Sequence, residues 1–185
     1  TPIPVYAEMG SLNPVFFTPG ALKENAETLA KAAIDSATLG SGQFCTKPGI
    51  MVIPTGSEGD EFLNHVENYL ASIQVAPLLN KGIADRYSKA ITELSKNGEI
   101  QVLTGTKAER GIAVTPTFFV ADWKVISSNP ELLEEHFGPT TVIALADESE
   151  FLAIANRDFR EILAGFPESS SSPIIATTIV VLSNA

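Results

Sequence analysis

The chain has 185 residues, of which 44% are hydrophobic and 18% are charged, and its formal net charge is -10. This composition is typical of one globular domain with a core of its own, and it excludes a disordered chain. The acidic balance argues against nucleic acid or an anionic membrane surface as the main partner, because both require a basic face.

The first half of the chain alternates short apolar runs with longer amphipathic ones. Thr18 followed by Pro19 is typical of a helix start, and Gly40 is typical of a helix end. Between them, apolar residues recur at helical spacing. In chain order we predict strands at residues 5–7 and 15–17, a helix from 19 to about 39, a strand at 50–53, and helices at 60–73 and 83–96.

The second half continues the alternation and is richer in strands. In chain order we predict strands at residues 99–104 and 116–121, a short helix at 130–135, a strand at 140–145, a helix from 148 to 155, and a final strand at 179–182. A serine run at residues 169–172 indicates a flexible loop. Strands that alternate with helices predict an α/β fold whose mostly parallel sheet is flanked by helices.

Cys45 is the only cysteine, and it stands in a loop with glycines on both sides. An accessible turn suits a nucleophile that a substrate must reach, whereas a lone cysteine elsewhere is commonly a small buried hydrophobe. One cysteine cannot form an internal disulfide, which fits a reducing, cytoplasmic setting. With His65 and His136 it forms no metal-binding spacing, so we expect no metal.

No apolar run approaches the roughly 18 residues of a membrane-spanning helix. The first residues also lack the basic segment that begins a signal peptide. We therefore expect no membrane partner.

Three short motifs occur in order: EMGSLNP at residues 8–14, GQFCTKPG at 42–49 and EEHFGP at 134–139. Together they resemble the aldehyde dehydrogenase superfamily, and the resemblance runs to about residue 155. The sequence around residues 13–17 and 42–49 is most similar to the branch that oxidises 2,5-dioxopentanoate (α-ketoglutaric semialdehyde). NADP-dependent fatty-aldehyde dehydrogenases are a close second.

The resemblance implies a role for four residues. Cys45 corresponds to the catalytic nucleophile, and Glu8 to the general base of that family. Glu135 and Phe137 correspond to the pair that contacts the ribose and the nicotinamide ring of NAD or NADP. The implied reaction is oxidation of a small-molecule aldehyde to a carboxylic acid through a thiohemiacetal and a thioester on Cys45.

The resemblance also implies an aldehyde dehydrogenase catalytic-domain fold and a larger, homo-oligomeric parent enzyme. No Gly-x-Gly-x-x-Gly phosphate fingerprint occurs in the sequence. We therefore interpret residues 1–185 as a single catalytic domain, or a fragment that contains it, with the cofactor bound mainly by an N-terminal domain that the sequence lacks. Residues 156–185 match the family poorly, and the isolated chain is expected to be inactive.

Two other functions remain open from the sequence. One is a cysteine-dependent hydrolase or acyl-transfer domain without hydride transfer, in which His136 would have to reach Cys45. The other is a folded but inactive fragment. The absent phosphate fingerprint favours these two for the isolated chain, and the motif at residues 134–139 favours the dehydrogenase for the parent.

Overall fold

The computed structural model describes residues 12–108, 111–158 and 180–182, with no side-chain account of 157–158 and 180–182. The strands are β1 (Pro14–Phe17), β2 (Ile50–Pro54), β3 (Gln101–Thr104), β4 (Thr117–Asp122), β5 (Thr140–Ala146) and β6 (Val180–Leu182). The helices are α1 (Pro19–Thr38), α2 (Ser57–Leu70), α3 (Lys81–Leu94), α4 (Trp123–Ser127) and α5 (Phe151–Ala153). Short 3₁₀ turns cover Leu39–Gly42, Pro130–Leu133 and Glu148–Glu150.

The six strands form one sheet in the order β3-β4-β5-β2-β1-β6. Neighbouring strands run parallel except at one edge, where β3 pairs antiparallel with β4. The prediction of an α/β fold with a mostly parallel sheet is therefore confirmed. Strands β3 and β4 follow one another in the chain and are connected by residues 105–116.

Both faces of the sheet are covered, which explains why β2 is apolar at every position. Ile50 and Val52 point into a cluster with Phe119, Trp123 and Phe151. The alternate residues of β2 point to the opposite face, where they meet apolar side chains of α1 and α2. A strand buried on both faces reads as a continuous hydrophobic run, because successive side chains alternate between the two faces.

Helix α1 begins and ends where its sequence indicates. The Thr18 side chain accepts a hydrogen bond from the Ala21 N–H at 3.4 Å, and Pro19 occupies the first helical turn. Beyond Thr38, Gly40 adopts a φ of 57°, a left-handed conformation that glycine reaches without strain. The predicted apolar stripe faces the core of the sheet.

The next two helices begin and end earlier than predicted. Gly56 turns the chain at a φ of 98°, so α2 starts at Ser57 rather than 60, and Glu58 and Asp60 lie in its first turn near the positive helix end. The Asn80 side chain caps α3 by accepting from the Ile83 N–H at 3.0 Å. The turn at Gly56 and the Asn80 cap determine where these helices start, whereas apolar periodicity indicates only which face is buried.

The region after β4 also differs from the prediction. The five-residue helix α4 was not predicted, because it is too short to show periodicity; Asp122 caps it by accepting from the Lys124 N–H at 2.8 Å. The helix predicted at 130–135 is a 3₁₀ turn that ends at Leu133, since Glu134 is already extended. The helix predicted from 148 is a series of short 3₁₀, α and π turns that reaches Asp158.

The last strand is present at Val180–Leu182, beside β1. The predicted strand at 5–7 and the serine run at 169–172 lie outside the described residues. Within the part of the chain that the structure describes, no helix is both long and apolar enough to cross a bilayer.

Candidate active site

The topology of the sheet brings two distant motifs together. Strands β2 and β5 are parallel neighbours, with Ile50 opposite Val142. The segments that precede two neighbouring parallel strands lie at the same end of the sheet, where the strands begin. The cysteine loop (residues 40–49) precedes β2, and the 134–139 segment precedes β5, so the fold places them side by side.

A pair of glycines forms the direct contact between these two segments. The Gly138 N–H donates to the Gly42 carbonyl at 3.2 Å. Gly42 has a φ of 66°, and a Cβ atom on it would overlap the Gly138 carbonyl. Glycine is required at position 42 both for the backbone conformation and for this close approach.

Polar side chains hold the first part of the cysteine loop. The Ser41 hydroxyl donates to the Ala76 carbonyl at 2.8 Å. The Gln43 side chain accepts from the Leu79 N–H at 2.8 Å and donates to the Gly40 carbonyl at 3.1 Å. Both bonds to residues 76–79 are long-range, so the glycine-rich loop has a defined conformation although its sequence predicts flexibility.

Asn13 holds the loop around the thiol from the other side. Its amide nitrogen donates to the Cys45 carbonyl at 2.6 Å and to the Lys47 carbonyl at 3.0 Å. Asn13 has a φ of 48°, a left-handed conformation that asparagine adopts more readily than most residues. The sequence analysis gave Asn13 no role, and an asparagine before a proline was the signal that could have indicated a turn there.

Lys47 is the one fully buried cation that the structure describes, with 5% of its surface exposed. Its ammonium donates to the Thr140 carbonyl at 2.8 Å. Burial lowers the pKa of Lys47 to about 8, and the Glu135 carboxylate opposes that shift. Nothing in the sequence pattern distinguished Lys47 from an exposed loop lysine.

One large cavity of about 930 Å³ lies against these segments. The cavity is bounded by the cysteine loop, one face of α3 and the segment from residue 131 to 137. Cys45 is exposed, and Phe137 exposes 39% of its surface. The residues that line the cavity include Cys45, Arg86, Tyr87, Lys89, Glu135 and Phe137.

Tyr87 of α3 holds the turn that follows Phe137. Its hydroxyl donates to the Thr115 carbonyl at 2.8 Å and lies 3.2 Å from the Pro139 carbonyl. Its ring packs where a side chain on Gly138 would otherwise lie. Burial raises the pKa of the Tyr87 hydroxyl, so the phenol remains a neutral donor.

Three of the four residues singled out from the sequence, namely Cys45, Glu135 and Phe137, meet in this cavity. Glu8 lies outside the described residues. His136 also lines the cavity, but its Nε2 atom lies 2.8 Å from the Glu131 carbonyl, so this nitrogen donates there. The structure therefore lends no support to a Cys45–His136 pair that uses Nε2 as the base.

The chemistry of the cavity fits part of a nicotinamide dinucleotide. The half-buried Glu135 carboxylate can accept hydrogen bonds from ribose hydroxyls, and the partly exposed Phe137 ring offers a flat apolar surface to the nicotinamide. Arg86 and Lys89 add positive charge to a wall that also carries several carboxylates.

Comparison with known proteins agrees with this chemistry. The model of the aldehyde dehydrogenase family matches residues 2–159. The chain belongs to the aldehyde dehydrogenase family. Among curated members of that family, the α-ketoglutaric semialdehyde dehydrogenase of Acinetobacter baylyi is 36% identical over 154 residues, which cover 82% of this chain and 29% of the relative. An enzyme of the same name from Azospirillum brasilense is 34% identical over 143 residues, covering 77% of this chain and 27% of the relative.

Solved aldehyde dehydrogenase structures share the fold. Lactaldehyde dehydrogenase from Escherichia coli superposes with a TM-score of 0.68 at 24% identity, covering 81% of this chain and 33% of that structure. A 1-pyrroline-5-carboxylate dehydrogenase from Thermus with bound NAD gives a TM-score of 0.69 at 20% identity, covering 81% and 30%. The chain thus spans less than a third of the curated relatives that it matches.

Proposed function

We propose that the protein carrying this chain oxidises an aldehyde to a carboxylic acid with NAD+ or NADP+, and that Cys45 is its nucleophile. The observation that carries the proposal is the cavity in which an exposed thiol on a fixed loop faces Glu135 and Phe137. Membership of the aldehyde dehydrogenase family supports it independently. Residues 1–185 would form the catalytic domain, or part of it.

The reaction divides into two stages at Cys45. The thiolate adds to the aldehyde carbon, and a C–S bond forms while the carbonyl oxygen becomes an alkoxide. A nicotinamide cofactor held by Glu135 and Phe137 would supply the hydride acceptor for this carbon. A thioester to Cys45 remains. Glu8 then removes a proton from water, the water oxygen attacks the thioester carbon, and the C–S bond breaks to give the acid and the thiolate.

The cavity residues have separate tasks in this scheme. Glu135 would bind the ribose hydroxyls, and Phe137 would set the plane of the nicotinamide ring. The hydrogen bonds from Asn13 to the Cys45 and Lys47 carbonyls would hold the loop, and with it the thiol, in one orientation through both stages. Orientation of this kind can supply a large part of a rate enhancement.

For the substrate we propose 2,5-dioxopentanoate, also called α-ketoglutaric semialdehyde. The names of the two relatives at 34% and 36% identity support this choice. Other relatives, at 27–31% identity, are named N-succinylglutamate 5-semialdehyde dehydrogenases, so a semialdehyde that carries a carboxylate is the shared substrate class.

A rapid-mixing experiment on the intact protein with NADP+ or NAD+ tests the two stages. Cys45→Ala should abolish NAD(P)H formation, because no nucleophile remains. Glu8→Gln should give one equivalent of NAD(P)H in a burst and then little turnover, because the thioester cannot be hydrolysed. Intact mass should show the acyl group on Cys45 in the Glu8→Gln protein.

The exposed carboxylate Glu61 provides a matched control, since Glu61→Gln changes the same chemical group at a residue that does not line the cavity. That variant should turn over like the wild type. Ordinary turnover by Cys45→Ala would contradict the nucleophile assignment, and an unchanged steady rate in Glu8→Gln would contradict the base assignment.

A further inference from the structure

Lys47 occupies an unusual position for a lysine two residues from a proposed nucleophile. It is buried in the protein and does not line the cavity that contains Cys45. Its ammonium has one hydrogen bond, to the Thr140 carbonyl at 2.8 Å, at the first residue of β5. The bond joins the cysteine loop to the strand that follows the 134–139 segment.

Burial of this ammonium is expensive for the fold. A charge removed from water is usually compensated by a close counter-ion and several hydrogen bonds. Here the Thr140 carbonyl and the electrostatic attraction of the Glu135 carboxylate offset part of the cost of desolvating the ammonium. The hydroxyls of Thr140 and Thr141 are also buried, with no hydrogen-bond partner in the structure.

Positions that reduce stability are commonly retained at functional sites. Lys47 is connected to both halves of the cavity. Its own carbonyl is bound by the Asn13 amide that also binds the Cys45 carbonyl, and its ammonium reaches β5 and the field of Glu135. A methionine could fill the same volume without a charge.

We propose that Lys47 is a positioning residue, whose buried ammonium fixes the cysteine loop against the start of β5 and thereby sets the Cys45 thiol relative to Glu135. This inference rests on the proposed function of Cys45 and Glu135 as nucleophile and cofactor contact. Lys47 acts through these residues and does not touch the substrate. Its removal should therefore impair the chemical step without weakening the fold.

The test compares Lys47→Met with wild type in three measurements on the intact protein. We expect kcat for aldehyde oxidation to fall roughly ten- to hundredfold, the size that a small misplacement of reacting groups produces. The midpoint of urea unfolding should stay the same or rise. Amide hydrogen exchange should accelerate in residues 43–47 and 135–140 while α1 and α2 remain protected.

Lys124→Met is the control, since Lys124 is exposed on α4 and lies outside the cavity. It should leave all three measurements unchanged. An unchanged kcat in Lys47→Met overturns the inference. So does a loss of kcat accompanied by a lower unfolding midpoint and faster exchange throughout, because that pattern indicates a purely structural role.

The exchange measurement separates this inference from the proposed function. If the wild type fails to oxidise aldehydes, the proposed function fails. Local acceleration of exchange in the two segments at an undiminished unfolding midpoint would then still support Lys47 as the connection between them, and its absence would overturn that role.

Discussion

The free-energy cost of burying Lys47 depends on pH. Its pKa falls from 10.5 to about 8 on folding. Well below pH 8 both the folded and the unfolded chain hold this proton, so the free-energy cost of burying Lys47 does not change with pH. Between pH 8 and 10.5 the native state has lost the proton that the unfolded state still binds, and the stability contributed by this residue therefore rises with pH.

We predict that wild type gains about 2–3 kcal/mol of unfolding free energy relative to Lys47→Met between pH 7 and pH 10, since one pKa unit corresponds to about 1.4 kcal/mol. Urea unfolding of both proteins across this range measures the difference. Tyr87 is present in both proteins, so the effect of its raised pKa on stability cancels in the difference. A constant difference between the two proteins would show that Lys47 is solvated.

At the level of single residues, the sequence predicted an accessible Cys45 but not the side chains that hold its loop. Cys45 stood out as a lone cysteine between glycines, and an accessible turn is what the structure contains. Asn13 before Pro14 could have indicated a turn, but the hydrogen bonds of Asn13 and Lys47 could not be predicted, because they are made to backbone carbonyls. Two of those carbonyls belong to the cysteine loop, and the third, that of Thr140, is remote in sequence. Every residue has a backbone carbonyl, so the sequence does not show which of them accepts a given hydrogen bond.

At the level of elements, the cavity depends on how closely two loops approach. Gly42 and Gly138 meet backbone to backbone, with a φ of 66° at Gly42. Gly111 has a similar φ of 74° but no heavy atom near the place of a Cβ. A comparison of substitutions at Gly42 and Gly111 therefore separates the free-energy cost of a left-handed backbone from the cost of steric overlap.

We predict that Gly111→Ala lowers the unfolding free energy by about 1–2 kcal/mol, the usual penalty for this conformation. Gly42→Ala should lower it by about twice as much, because the new methyl group also displaces Gly138, and it should reduce aldehyde oxidation. Urea unfolding and steady-state kinetics measure both effects. Equal losses of stability in the two variants would mean that the loops can separate without cost.

Elements were predictable where local signals were strong. The stripe and caps of α1 determined both its ends, and the apolar run of β2 determined a buried strand. Helix α4 and the 3₁₀ turn before Glu134 were not predictable in this way. Each is too short for a periodic pattern, and each is fixed by a cap or a proline.

For the molecule as a whole, alternation of strands and helices predicted the class of fold but not the order of the strands. Which strands become neighbours depends on long-range packing, and here that order places the cysteine loop next to the 134–139 segment. The meeting of Cys45, Glu135 and Phe137 in one cavity was therefore predictable from family motifs and not from the local pattern.

We predict that the 185-residue chain binds NAD+ and NADP+ no more tightly than about 1 mM. In the described cavity Glu135 and Phe137 offer contacts to the nicotinamide riboside half, and the sequence contains no glycine fingerprint for the phosphates. A few weak contacts correspond to about -4 kcal/mol or less favourable. Isothermal calorimetry measures the affinity. Micromolar binding would reveal a phosphate-binding element that the sequence motifs do not indicate.

The adjacency of β2 and β5 also has a consequence for the time course of biosynthesis. Ile50 pairs with Val142, so the partners of the cysteine loop lie almost a hundred residues further along the chain. At about 5–20 residues per second, the ribosome adds Thr140 roughly 5–20 seconds after Cys45. During that interval the thiol exists on a loop that has neither the Gly138 contact nor the Thr140 anchor. The Cys45 thiol is made first, and the contacts that hold its loop form only after most of the described residues have been translated.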